Sequence, residues 1–399
     1  MHEIPLLKLK PREERRLKAG HHWIYSNEID TKVSSLKGFS AGESVVVEDS
    51  KGRHLGLATM SPQSLICARL YSRDIRVQLD AKFIEHRLFQ ALALRQSYFS
   101  DPCYRAFYGD SDGLSGLVID RFYDVIVVQI TTAGMELVKE ALIEALETVF
   151  HPKAIVFKND NAMRELEGLK LDEIEIIGQL DDWVALRENG VDFFAPICKG
   201  QKTGWFYDHR QNRALMQQLV KGKTVLDLFS YVGGWGVQAA VAGAESVTCV
   251  DSSELALEGV RENSLLNQVE NKVQTIKGNA FEVLSQLKED GAKFDFIVLD
   301  PPAFIKRKKD QKNGFNAYRR INELALRLVN VGGILVSASC SMHLADHELT
   351  DILRGSSRHI DRQLQIIHIG GQGADHPIHP AIPETKYLKS VFCRVINSY

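Results

Sequence analysis

The chain has 399 residues, 44% hydrophobic and 25% charged, which is ordinary for a globular protein and enough for two or three domains with separate cores. No uninterrupted apolar run approaches about 18 residues, and MHEIPLLKLKPREERR lacks the apolar centre of a secretory signal, so a cytoplasmic protein with no membrane association is expected. The formal net charge of −2 is uneven: residues 1–76 carry +4, residues 77–195 carry −10 and residues 196–399 carry +4, so a polyanion would favour the two ends over the middle.

In chain order, residues 1–73 read as short strands between turn signals. ESVVVED, the turn SKGR and HLGLATM form a predicted hairpin, and SLICARLY adds a strand, which makes a small β-rich module. Residues 77–98 carry Leu79, Phe83, Leu88, Leu92 and Leu94 in a helical pattern. GLVIDRFYDVIVVQI then reads as a hairpin turning around Arg121 to Asp124, and MELVKEALIEALETVF as a helix. Together these predict a middle α+β domain over residues 74–195, ending near VDFFAPICKG, where Pro196 and Gly200 punctuate the chain. From Thr224 onward the strands TVLDLF, SVTCVD, KVQTIKGN, FDFIVLD and GILVSASC alternate with helical patterns, which predicts an α/β domain over residues 196–399 with a doubly wound, mostly parallel sheet. LQIIHIG and YLKSVFCRVI are separated by a loop and suit an antiparallel hairpin at the sheet edge.

The chemistry concentrates at strand ends in that last domain. DLFSYVGGWGVQAA places Gly233, Gly234 and Gly236 in a turn that lets a ligand approach the backbone before a helix. Asp227 ends the preceding strand, where it would repel a pyrophosphate and suit a cationic cofactor better. Asp251 ends the next strand, where an acid typically holds ribose hydroxyls. Two acids framing a glycine turn point to S-adenosylmethionine, which has an amino group, a sulfonium and a ribose but no phosphate. The GKT at Gly222 to Thr224 is not a phosphate loop, since position 217 is Gln217 and the motif precedes its strand.

FDFIVLDPP stops at Pro301 and Pro302, leaving Asp300 at the carboxyl end of an inner strand. The next strand ends SASCSMH, so Cys340 should emerge beside Asp300, and a thiol nucleophile next to an acid and a methyl donor suits methylation of a pyrimidine carbon. The six cysteines form no C-x-x-C pair, and His376 and His379 in ADHPIHP lack a third ligand at informative spacing, so no metal is expected. The basic run IKRKKDQK, with Lys306, Arg307, Lys308 and Lys309, is either a solvated face or an RNA-phosphate contact beside the active edge.

With these motifs in view the sequence resembles the RlmI-type methyltransferases, which make 5-methylcytosine in RNA of the bacterial large ribosomal subunit. The resemblance runs through HHWIYS, GDSDGLSGLVIDRF, QKTGWFYDHR, FSYVGG, VDSS, DPPAF, SCS, ADHP and YLKSVFCRV. It implies a PUA domain, a small RNA-binding β module, over residues 1–73, and a Rossmann-like class I methyltransferase domain at the carboxyl end. It further implies Asp227, Phe229 and Gly233 in the cofactor motif, Asp251 at the ribose, and Asn279 at a place where the family commonly has Asp. Cys340 and Asp300 would be catalytic, with no second cysteine beside the aspartate and with Ala303 where a basic residue is common. Lys202, Phe206, Asp208 and Arg210 are implied at the methionine end of the cofactor (Phe206, Asp208) or the RNA backbone (Lys202, Arg210). The partner would be large-subunit ribosomal RNA, free or partly assembled, with a homodimer left open. The competing readings are an RNA amino or uridine-C5 methyltransferase on the same fold, and a non-catalytic RNA-binding assembly factor.

Overall fold

In the computed structural model, which describes residues 4–171 and 173–397, the chain divides into two units. The first comprises Met1–Val184, Ile197–Trp205 and Ala374–Thr385, and the second Ala185–Pro196, Phe206–Gly373 and Lys386–Tyr399.

The first unit holds two five-stranded sheets. β1 (Leu6–Lys8), α1 (Glu14–Lys18), β2 (Trp23–Tyr25), β3 (Ser44–Glu48), β4 (His54–Met60) and β5 (Ile66–Ser72) give a sheet of order β1-β3-β4-β5-β2. Alternation in β3 sends Val45 and Val47 into a core with Leu7, Ile24, Ala58 and Cys67, and turns Val46 the other way. After α2 (Ala81–Tyr98) come β6 (Cys103–Tyr108), the single turn α3 (Gly109–Asp112), β7 (Leu117–Phe122) and β8 (Val125–Ile130). α4 (Ala133–Leu137) and α5 (Lys139–Phe150) cross over to β9 (Ala154–Phe157), which pairs parallel with β8 and antiparallel with β10 (Glu175–Gly178). The helix expected over MELVKEALIEALETVF is thus broken at Val138. Gly134 of α4 lies so close to β4 that an added Cβ would sit 2.4 Å from Thr59 Cβ. Residues 1–73 have the core around Val45 and Val47 as their own, and their other face adds Val46, Leu57 and Tyr71 to the cluster of Leu88, Phe107, Ile126 and Leu142.

The second unit opens with the hairpin β11 (Val184–Glu188) and β12 (Val191–Ala195), then α6 (Arg210–Leu219). Its sheet runs through β13 (Thr224–Leu228), α7 (Gly236–Val241), β14 (Ser246–Asp251), α8 (Glu254–Leu266), β15 (Val273–Lys277), α9 (Ala280–Glu289), β16 (Phe294–Leu299), α10 (Gln311–Leu328), β17 (Val329–Ser339), α11 (Asp346–His359), β18 (Arg362–Gly370) and β19 (Lys389–Asn397). The strand order is β15-β14-β13-β16-β17-β19-β18, parallel except for β19, which is antiparallel to both neighbours. This is a doubly wound sheet, and its order reverses between β13 and β16, opening the crevice at their carboxyl ends where ligands bind.

The division differs from a single cut after residue 195. Asn263 of α8 accepts the Phe194 N–H at 2.7 Å and Asn267 donates to Asp192 O at 2.7 Å, which ties β12 to the second unit. The ADHP loop returns to the first unit, where Arg95 donates to Asp375 O at 2.8 Å and the Arg105 N–H to Asp375 Oδ2 at 3.1 Å. Among the described residues no helix is long and apolar enough to cross a membrane.

Candidate active site

The glycine turn after β13 is built around Asp227, which is fully buried. Its Oδ2 accepts the Gly236 N–H at 2.8 Å, and its Oδ1 has no hydrogen-bond partner. Burial pushes this carboxyl well above the usual range, with Asp300 and Asp251 adding to the shift. Phe229, Tyr231 and Gly233 take φ of 64°, 48° and 88°, a left-handed path that folds the turn back over the strand end. At Gly233 an added Cβ would lie 2.6 Å from Val237 Cγ2, so the first turn of α7 seats against bare backbone. The ring of Phe206 meets Tyr231 edge-on at 5.5 Å.

Asp251, at the end of β14, accepts the Tyr231 N–H and the Ser253 N–H, each at 2.9 Å. Asn279 caps α9, its Oδ1 accepting the Phe281 N–H at 2.9 Å. Asp227, Phe229, Gly233, Asp251 and Asn279 therefore lie along the carboxyl ends of β13, β14 and β15. The residues present fit S-adenosylmethionine. Among the described residues Asp227 Oδ1 is a buried oxygen without a hydrogen-bond partner, which suits a cation, the bare turn leaves room at the backbone, and Asp251 and Asn279 offer acceptor oxygens at the next two strand ends.

Asp300 follows β16 and meets two groups that motif reading did not single out. Its Oδ1 lies 3.1 Å from His209 Nε2, and its Oδ2 accepts the Trp235 indole N–H at 3.1 Å. Asn212 Nδ2 donates to Gly371 O at 3.0 Å and lies 3.0 Å from His209 Nδ1. A carbonyl can only accept, so Nδ1 of the neutral ring accepts too and the ring proton sits on Nε2, toward Asp300. Burial works against charge on both partners. On His209 the carboxylates of Asp300 and Asp208 outweigh it and raise the imidazole above its ordinary value. On Asp300, His209 and the Trp235 N–H outweigh it and hold the carboxyl below its ordinary value.

Cys340 leaves β17, the parallel neighbour of β16. Leu299 is level with Ser337, so Cys340 stands two residues further out than Asp300, roughly 6–7 Å along the strand direction. Ser339 and Ser341 on either side are fully buried, and Cys340 is only partly so. The Tyr318 hydroxyl is hydrogen-bonded to both serines, at 2.7 and 2.9 Å, and the Ile305 N–H donates to Ser341 Oγ at 3.2 Å, which fixes the loop that carries the thiol.

The remaining expected residues divide. Asp208 is buried and accepts the Tyr387 hydroxyl at 2.7 Å. Lys306, Arg307, Lys308 and Lys309 are all exposed, with Arg307 paired to Asp310 at 3.2 Å. Lys202 is exposed and belongs to the first unit. Arg210, expected at the RNA backbone, is instead buried at 6% exposure, its Nε 3.5 Å from Glu188. Glu188 is buried too and takes Arg213 as well, at 2.6 Å, so these cations neutralise a carboxylate inside the unit. No group of three or more His, Cys, Asp or Glu side chains among the described residues is arranged to hold a metal. His376 is buried with its Nδ1 3.0 Å from Asp375 Oδ1, a structural contact.

Comparison with known proteins agrees with this geometry. Residues 7–73 match the model of a PUA-like domain, and residues 170–363 that of an S-adenosylmethionine-dependent methyltransferase. A Shewanella denitrificans protein named ribosomal RNA large subunit methyltransferase I is 37% identical over 394 residues, covering 98% of this chain and 99% of its own. The chain belongs to the ribosomal RNA large subunit methyltransferase I family. A Klebsiella pneumoniae member of the family is 36% identical over 401 residues, again covering 98% and 99%. A solved chain from Streptococcus mutans described as an S-adenosylmethionine-dependent methyltransferase superimposes with a TM-score of 0.82 at 19% identity, over 98% of this chain and 100% of that one. A methyltransferase structure with SAH bound superimposes at 0.83, also at 19% identity and over 98% and 100%, and both share the fold. The family member described here is thus an S-adenosylmethionine-dependent methyltransferase.

Proposed function

We propose that this protein forms 5-methylcytosine in large-subunit ribosomal RNA through a transient covalent bond between Cys340 and the base. The observation that carries the reading is the departure of Asp300 and Cys340 from the carboxyl ends of adjacent parallel strands, β16 and β17. The relatives' name supplies the RNA, free or partly assembled into the subunit, and the PUA-like segment supplies a module suited to holding it.

Carbon 5 of cytosine is a poor nucleophile until a thiolate adds to carbon 6. Cys340 Sγ makes that bond, carbon 5 takes the methyl group, the carbon 5 proton leaves to a base, and the C6–S bond breaks to return the thiolate. When bound, S-adenosylmethionine supplies an electrophilic methyl group. Asp227, Phe206 and Asp208 serve its methionine end, Phe229 and Gly233 shape the turn against it, and Asp251 and Asn279 hold ribose and adenine. Held below the ordinary carboxylate range, Asp300 meets the pyrimidine as an anion. Thiolate addition at carbon 6 builds negative charge on the ring, a proton taken up at N3 from solvent neutralises it, and the Asp300 carboxylate accepts the resulting N3–H and so favours the protonated ring. Lys306, Arg307, Lys308, Lys309 and Lys202 are exposed cations and are assigned to RNA phosphates in this reading.

RNA carrying 5-fluorocytosine at the target tests the chemistry, because fluorine cannot leave as a proton does. The wild-type enzyme should form an adduct that survives a denaturing gel, and Cys340→Ser should form none while still binding SAH. A Cys340→Ser protein that methylates RNA at a normal rate, or an adduct that maps to another cysteine, overturns the mechanism.

A further inference from the structure

Lys389 is a buried cation that the mechanism above leaves unused. It begins β19 directly opposite Ser339, the residue before Cys340. Its Nζ donates to Ser341 O, the residue after Cys340, at 2.8 Å, and to Tyr387 O at 2.9 Å. The side chain therefore brackets the cysteine from both sides along the chain. Lys389 is 7% exposed, and among the described residues it makes no ion pair. A buried ammonium is costly unless it is paired, and two carbonyls satisfy two of its three N–H groups.

The groups that face it are few. Asp346 on α11 is already paired with Lys386, and Glu348 on the same helix accepts the Ala345 N–H at 2.6 Å. Asp346, Cys340 and Glu348, in that order, favour the charge on Lys389, and Lys386 opposes it. Tyr318, the other titratable group that feels Cys340, is committed to Ser339 and Ser341. Of the groups that favour its charge, Cys340 is the one carried by the loop that Lys389 holds through Ser341 O.

We infer that Lys389 is a positioning residue that keeps Cys340 ionised, holding its ammonium against the loop that carries the thiol so that the thiol proton is lost to solvent before the base arrives. This rests on the reading of Cys340 as the nucleophile. Burial moves Lys389 downward from the ordinary lysine value, and Asp346 and after it Cys340 favour its charge. The interaction also gives a reason for a lysine at a buried strand position, in the sequence YLKSVF.

The test is the pH dependence of Cys340 alkylation by iodoacetamide in the full-length protein, read by mass spectrometry of the Cys340 peptide. Cys67, Cys103, Cys249 and Cys393 are buried, and Cys198 is resolved by peptide mass. Lys389→Met, and Lys389→Gln, which keeps a donor for the carbonyls, should move the alkylation midpoint up by about one pH unit and slow the neutral-pH reaction about tenfold. Lys389→Arg should restore most of it. SAH binding measured on each variant confirms that the cofactor fold is intact. A midpoint unmoved in either uncharged variant that still binds SAH overturns the inference. Failure of the nucleophile reading shows separately, as methylation by Cys340→Ser.

Discussion

Gly236→Ala provides a quantitative test of how the cofactor turn is packed. Gly236 starts α7 and is not in a left-handed conformation, so the penalty for a side chain there is spatial. A Cβ at this position would lie 2.3 Å from Cys249 Sγ, 3.1 Å from Asp227 Oδ2 and 3.2 Å from Val247 Cγ1. The sulfur contact is more than about 1 Å inside an ordinary non-bonded separation. Cys249 cannot retreat, because it is fully buried in β14 between β13 and β15. The substitution should therefore cost about 1–3 kcal/mol, roughly a 5- to 150-fold loss in the folded-to-unfolded ratio. It should also weaken SAH binding, since displacing Gly236 moves the amide that donates to Asp227 at 2.8 Å. Removing the obstructing sulfur with Cys249→Ala in the same chain should recover a substantial part of both losses, although Cys249→Ala alone is destabilising. Urea titration of the two single variants and the double variant reads the coupling. Gly236→Ala unfolding at the wild-type urea concentration, or a double variant no more stable than Gly236→Ala, would refute the packing argument.

Asp251→Ala should weaken SAH binding by about 1.5–3 kcal/mol, or roughly 10- to 150-fold, from lost charged hydrogen bonds to the ribose; calorimetry showing unchanged affinity in a folded variant removes Asp251 from the site. Changing Lys306, Arg307, Lys308 and Lys309 together to Ala should weaken RNA binding and flatten its salt dependence while SAH affinity holds, and an unchanged salt slope makes the run a solvated face. Asp227 is raised well above its ordinary value by burial, so in the free protein its stability contribution is present at low pH and is lost as pH rises from the unfolded value through the raised folded one. The amino cation of SAH should draw it into the ionised form, so binding should release a proton and tighten as pH rises through that value. Calorimetry in buffers of different ionisation enthalpy should show this for wild type and lose it in Asp227→Asn; equal proton release in both would refute it.

Much of the site was legible in the sequence because its signals are local. Apolar runs of strand length ending at Asp227, Asp251 and Asp300, a glycine turn and a double proline are fixed by residues within a few positions of one another, and alternation with helices implies a parallel sheet. The turn also carried its own constraint, since Gly233 and Gly236 have no space for a side chain. What periodicity does not encode is which distant group meets which. β19 enters between β17 and β18, and that pairing alone sets Lys389 opposite Ser339 and beside Cys340. His209 comes from the segment before β13 to meet Asp300, and Trp235 reaches the same carboxylate from inside the glycine turn. The resemblance implied Arg210 at the RNA backbone, and a sequence shows such a residue's charge but not its burial. Only the fold placed the buried Glu188 beside it, and a carboxylate withdrawn from water takes the nearest cations as partners.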